Sequence, residues 1–190
     1  MTTKSDEMKY ITPTEIFNDH NKMLEAVTNI VDNVGWGSLN QILLNSRPGD
    51  QDPWHDGTGT VINRQTGERI INETDFTKWN NIPNYLLESL KNLAEARKIK
   101  FGRIRIMKLR PQFGLSVHKD FETRYHYVIT TNPKCYFGFS QFENQMDPAA
   151  ICWHMPVDSQ WHHIDTTKYH FVYNGGQTDR IHIVACALNE

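Results

Sequence analysis

Two triplets in this 190-residue chain set an imidazole and a carboxylate at alternate positions, His118-Lys119-Asp120 and His163-Ile164-Asp165. Alternate residues of an extended strand face the same side, so either pair can present both ligand types to one metal ion. With nine histidines and 22 acidic residues the pattern is cheap, and only the company it keeps can decide between the two. A mononuclear iron site of the two-His-one-carboxylate type needs a further imidazole from a separate strand, with positions left open for substrate and oxygen. For the first triplet, His170 offers that imidazole from "TTKYHFVYNGGQTDRIHIV", far enough downstream for several strands to intervene. Arg180 then stands across a "GGQTD" turn, and a hairpin there would set it beside the strand of His170. The second triplet lacks this company: His170 follows His163 closely, and no comparable basic residue follows His182. Its setting, "WHHIDTTKYH", reads as a strand end and a turn, which suits a structural role or the rim of a pocket.

The elements that must position these residues change character near residue 100. Before it, "TPTEIFNDHNKMLEAVTNIVDNVGWG" reads as a helix, with Thr12 as N-cap, Pro13 at the first helical position and Gly35 as the stop. "GTGTVINRQTGERIINE" reads as a hairpin with its turn at Gln65-Thr66-Gly67, and "NIPNYLLESLKNLAEARK" as a second amphipathic helix. From Lys100 the period becomes two, through "GRIRIMKL", "RYHYVIT", "CYFGF", "AICWHM", "YHFVYN" and "RIHIVACAL". Strands in this number with no helix between them imply an antiparallel sandwich or barrel. The expected architecture is a single domain over 1–190: helical support and loops over 1–100, and a β-core over 101–190.

Composition narrows the function classes. A formal charge of −2 and a pI near 6.5 argue against a dedicated nucleic-acid surface. No apolar run approaches a membrane span, and "MTTKSDEMKY" lacks the apolar core of a signal peptide. Cys135, Cys152 and Cys186 are scattered and odd in number, a poor disulfide framework and no thiolate zinc site. These features fit a cytoplasmic protein with reduced cysteines, and they leave its oligomeric state open.

Taken together, His118-Lys119-Asp120, His170 and Arg180 resemble the pattern of the 2-oxoglutarate- and iron(II)-dependent oxygenases, whose core is a double-stranded β-helix, a cupin-like jelly-roll. The finer resemblance is to the aspartyl/asparaginyl β-hydroxylase-like branch. It rests on Arg124-Tyr125-His126 after the first ligand pair, and on His170-Phe171-Val172-Tyr173-Asn174 followed by Arg180-Ile181-His182. It covers roughly residues 101 to 188. Members of that branch acting on aspartyl and asparaginyl residues often lack the carboxylate ligand. Asp120 restores it, which is closer to relatives hydroxylating proline or other amino acids.

The resemblance implies Fe(II) held by His118, Asp120 and His170, with 2-oxoglutarate and O₂ as co-substrates. Arg180 would meet the distal carboxylate of the oxo-acid, for which a guanidinium's two parallel donors are suited, and Arg124 and His126 would serve the co-substrate carboxylates. The implied outcome is hydroxylation of an amino acid, free or within a peptide or protein, with release of succinate and CO₂. Each residue has a plainer alternative: Arg124 as an ion pair with Glu122, His126 as a hydrogen-bonded core residue, Asn174 as the organiser of a turn. "NQILLNSRPGDQDPWHDGTG" has the make-up of a functional loop, in which Asn45, Arg47, Trp54 and His55 could grip a substrate. A solvated loop is the alternative there. Two other function classes stand beside the oxygenase. One is a non-oxygenase cupin-like metal barrel, such as an isomerase or small-ligand sensor, which has no need of Arg180 as an oxo-acid anchor. The other is a partner-binding protein that retains the barrel without turnover.

Overall fold

The structure is a computed structural model that describes residues 10–63, 65–143 and 147–188. The start of "MTTKSDEMKY", and with it the reading of a missing signal peptide, lies outside the described residues, as does Arg64 within the expected hairpin. The chain is mainly β, a double-stranded β-helix of the jelly-roll, cupin-like kind, with two helices toward its N-terminal side. It divides into two compact units. One lies within Met1–Phe17 and Lys108–His182, and the other within Asn18–Met107 and Ile183–Glu190.

The first unit is built on β1 (Ile11–Phe17), where a helix was expected. Here Thr12-Pro13 opens no helix. β1 pairs antiparallel with β10 (Gln160–Ile164), Ile11 opposite Ile164 and Pro13 opposite His162. It is the edge of its sheet, the place where a proline without an N–H is tolerated. Ile11, Thr12, Thr14 and Ile16 are β-branched and favour the extended form, and Thr14 Oγ1 donates to Trp161 O at 2.7 Å. The register shifts between Pro13 and Phe17, around Glu15 in the left-handed region at φ 60°.

β10 pairs in turn with β7 (Arg124–Thr130), placing His162 opposite His126 and Ile164 opposite Arg124. The facing sheet holds β6 (Phe113–His118), β11 (His170–Asn174), β8 (Cys135–Phe139) and β9 (Ile151–Trp153) in that spatial order. Between the two sheets lies a core of Ile11, Leu109, Val128, Phe137, Phe139, Met155, Ile164 and Val172. Alternation does the sorting: along β11, His170, Val172 and Asn174 are buried while Tyr173 is exposed. β12 (Arg180–Leu188) begins in this unit, in the sheet of β1, β10 and β7. The expected hairpin between β11 and β12 is therefore a crossing from one sheet to the other, and Arg180 arrives in the sheet facing His170.

Asn174 makes that crossing possible. Its amide donates to Leu109 O and Thr178 O at 3.0 and 2.8 Å, and its Oδ1 accepts from Gly176 N at 3.1 Å and Asn132 Nδ2 at 3.0 Å. A Cβ on Gly176 would collide with the Asn132 side chain, so the turn admits no bulk there.

The second unit carries α1 (His20–Val34) and α2 (Asn84–Arg97). The α1 cap is Asp19, which accepts from the backbone N–H groups of Asn21 and Lys22. Met23, Ala26, Val27 and Ile30 form the buried face of α1, and Leu86, Leu90 and Leu93 lie buried on α2. β2 (Gln41–Leu43) pairs with β5 (Lys100–Leu109), and β3 (Asn45–Ser46) with β4 (Lys78–Trp79). Both faces of β5 are buried, because Arg103 is held inside by Glu73 (3.3 Å) and by the carbonyls of Gly57 and Gly59. The expected hairpin is reduced to an isolated bridge, Ile62 to Arg69, around a turn at Gly67. Among the described residues no helix is long and apolar enough to cross a membrane.

Candidate functional site

Within the first unit, His118 ends β6 and His170 opens β11, and the two are direct partners across the ladder. Their rings lie 4.3 Å apart, centroid to centroid. Asp120 follows in the β6–β7 loop, whose backbone is fastened by Asp120 N to Thr166 O at 2.8 Å. One ligand atom from each of His118, Asp120 and His170 can be chosen so that all lie within 4.8 Å of one another. Both imidazoles are prepared in the same way: Nδ1 of His118 donates to Ser116 O at 2.7 Å, and Nδ1 of His170 to Lys168 O at 2.9 Å. A carbonyl only accepts, so the proton is fixed on Nδ1 and the lone pair is left on Nε2. Burial, helped by the neighbouring His118, pushes the His170 pKa down to about 4, so its ring is neutral at pH 7. Two imidazoles with free Nε2 lone pairs and one carboxylate form a donor set that fits a divalent metal such as iron.

Behind this set stands Arg124, whose Nε lies 3.3 Å from Asp120 Oδ2 and whose Nη1 lies 3.7 Å from Glu122 Oε2. The pair with Glu122 is the plainer alternative raised by the sequence, and the contact with Asp120 adds an orienting role for the carboxylate. Phe137 stacks on His170 at 5.3 Å and 10°, and meets the His126 ring edge-on at 5.8 Å. His126 and His182 are both buried, their Nδ1 atoms 3.4 Å apart. Burial, reinforced by the Arg180 charge, holds both well below the usual histidine range.

Arg180 itself is 6% exposed, and Nη2 donates to His182 Nδ1 at 3.0 Å. Burial lowers its pKa to about 10, which still leaves it charged at neutral pH. Among the described residues no carboxylate pairs with it. A guanidinium without a counter-charge is expensive to bury, and an anion entering the site would relieve that cost. On β10, His162 is fully buried with Nε2 3.1 Å from Asp158 Oδ2. The second triplet divides: His163 faces away from this interior against Tyr125, and Asp165 accepts from Thr167 in a turn.

The four loop residues lie in the second unit. Asn45 is buried, donates to Phe76 O and Gly102 O, and accepts from Ile104 N. Arg47 pairs with Asp50 at 2.9 Å, and Trp54 donates its backbone N–H to Asp52. His55 bridges Asp52 Oδ2 (2.8 Å) and Gly35 O (3.2 Å). The polar side chains of Asn45, Arg47 and His55 thus already have partners within the second unit. The sequence reading left His162, Asp158 and His182 without roles. For His182 a signal was present, since Arg180 and His182 occupy alternate positions of one strand and so share a face.

No protein-family model matches the chain, and no curated protein matches it. Among solved structures, it is similar to an oxidoreductase of the 2OG-Fe(II) oxygenase family from Burkholderia pseudomallei, with a TM-score of 0.56 at 12% identity, over 93% of this chain and 82% of that one. It is also similar to EvdMO1, with a TM-score of 0.55 at 12% identity over 95% of this chain; the chain spans 47% of EvdMO1. The viral collagen prolyl hydroxylase vCPH from Paramecium Bursaria Chlorella virus-1 shares a TM-score of 0.50 at 9% identity, over 96% of this chain and 91% of that one. At such identities the likeness is one of fold.

Proposed function

We propose that the chain is an Fe(II)- and 2-oxoglutarate-dependent oxygenase that hydroxylates an amino acid, free or within a peptide or protein, as in the aspartyl/asparaginyl β-hydroxylase-like branch. The observation that carries this reading is the pairing, in one unit, of a His-Asp-His donor set with a buried guanidinium that no carboxylate among the described residues neutralises. A cupin-like isomerase or sensor has use for the first and none for the second.

In this reading iron(II), 2-oxoglutarate and O₂ supply the oxidising power that inserts one oxygen into a C–H bond, while the oxo-acid leaves as succinate and CO₂. His118 and His170 hold the metal through Nε2, and Asp120 through its carboxylate. Arg124, beside Asp120, favours the ionised carboxylate and fixes its direction. Arg180 receives the distal carboxylate of the oxo-acid, and its full charge is available because His182 is a neutral neighbour. His126, reaching the same interior, serves the co-substrate as a neutral hydrogen-bonding group. Phe137, Phe139 and Val172 make that interior apolar and exclude water, which strengthens every charge interaction inside it.

Anaerobic titration of the protein with Fe(II) and 2-oxoglutarate, followed by visible absorption, tests the proposal. A weak charge-transfer band is expected in the wild type and absent in Asp120→Ala and His170→Ala. No band in the wild type, or an unchanged band in the variants, overturns it. Succinate release, and a gain of one oxygen in a mass screen of free amino acids and short peptides, then identifies the substrate.

A further inference from the structure

We propose that His182 is the positioning residue of the Arg180 anchor, a neutral acceptor that aims the guanidinium without neutralising it. The inference rests on the oxo-acid reading above and adds to it a residue and a charge rule.

Arginine has no acceptor atom, so the 3.0 Å contact can only be Nη2–H donating into the lone pair of His182 Nδ1. The His182 proton therefore sits on Nε2. The ring is fully buried, and a proton on Nδ1 would both destroy this bond and face the Arg180 charge. Its lowered pKa agrees with a ring that stays neutral in use. His126 meets it edge-on, with centroids 5.7 Å apart at 83°, which limits the orientations of the ring. The charged groups felt most by His182 are Arg180 and the imidazoles of His126, His162 and His154, and none is an acid.

The rest of the chain shows that another solution was available. Arg103 is held inside by Glu73, and Arg124 stands against Asp120 and Glu122. A carboxylate would hold Arg180 more firmly, through a charge-assisted bond, yet it would cancel the charge an incoming anion needs. An imidazole at the alternate position of the same strand does the aiming and leaves the cation whole.

The isosteric pair His182→Asn and His182→Asp separates aiming from neutralising, since the Asn carbonyl oxygen can accept from Arg180 while the Asp carboxylate also carries charge. With His182→Leu they are titrated anaerobically, in the presence of Fe(II), with 2-oxoglutarate and with 2-oxobutanoate, which lacks the distal carboxylate. His182→Asn should bind 2-oxoglutarate within about threefold of wild type, and His182→Leu about ten- to a hundredfold more weakly, the loss of one charge-assisted contact. His182→Asp should bind at least as weakly as His182→Leu while melting no lower than His182→Asn. The 2-oxobutanoate Kd should stay within about twofold in all of them, because losses confined to one end of a ligand do not spread to the other when sites are independent. Should His182→Leu fail to fold, the Asn–Asp contrast decides by itself. Wild-type affinity in His182→Asp, or equal losses for both oxo-acids, overturns the role of His182. A wild type that does not prefer 2-oxoglutarate to 2-oxobutanoate overturns the anchor reading itself, and this role with it.

Discussion

Two guanidinium groups lie buried in the β unit, Arg124 on β7 and Arg180 on β12, and they differ in what answers their charge. Arg124 has two acids, Asp120 at 3.3 Å and Glu122 at 3.7 Å. Arg180 has a neutral imidazole. A cation with its counter-charge in place organises its surroundings, here the carboxylate beside the candidate metal ligands. A cation without one would gain from the arrival of an anion. Residue type and burial are alike in both places, and the difference lies in the partner.

The largest effect should come from removing the acid that Arg124 answers. Asp120→Ala deletes a candidate ligand as well as a counter-charge. Changes one layer behind metal ligands already cost about 10–100-fold, so Fe(II) affinity measured by competition with a chelator should fall by about a thousandfold or more. An affinity within tenfold of wild type would remove Asp120 from the metal set.

Acid comes next. His170 titrates near 4 in the fold, and His126 and His182 are also held below the ordinary 6.5, so the unfolded chain takes up protons first. Stability of the metal-free protein is therefore whole above about pH 6.5 and lost as pH falls toward 4, by about 3 kcal/mol from His170 alone. Urea unfolding across that window measures it. His182→Asn should flatten the acid limb, and a limb of unchanged slope would mean that His182 is not held neutral.

The two arginines can then be set against each other. Arg124→Met leaves two partly buried acids without their cation and should cost about 2 kcal/mol. Arg180→Met removes a buried charge with no carboxylate partner among the described residues, and should leave the metal-free protein as stable or more so by about 1 kcal/mol. Its 2-oxoglutarate affinity should nonetheless collapse. Equal destabilisation by both would erase the contrast. The exposed pair Lys91–Glu88 on α2, 2.9 Å apart, supplies the baseline: Glu88→Ala should change stability by no more than about 0.5 kcal/mol.

How far the sequence reached follows from what each feature depends on. The strands from Lys100 onward were readable because alternation is local, and the spacing of His118, Asp120, His170 and Arg180 was readable because chemistry narrows residue type. Thr12-Pro13 misled, since the signs of a helix start also suit an edge strand, and only the partner strand β10 distinguishes them. The end of β10 and the turn after it were legible in "WHHIDTTKYH", but which of Trp161, His162 and His163 face the interior is settled only once the sheet exists. The β11–β12 hairpin failed because a turn's composition says nothing of which sheet receives the next strand. That Arg180 and His182 share a face was legible in their alternate positions, but which nitrogen of His182 carries the proton was not.

The turn organised by Asn174 joins the strand that opens with His170 to the strand that opens with Arg180, and crosses between the sheets in doing so. If one group holds the head of an oxo-acid and the other its tail, the covalent path between them acts as a ruler, and the buried amide keeps its length. Carbon number in the co-substrate would then be read by a residue that touches neither end of it. A residue added to the turn and taken up as a one-residue slip of β12 would turn Arg180 to the opposite face of its strand, and the chain would lose its measure of the acid while keeping every side chain that recognises it.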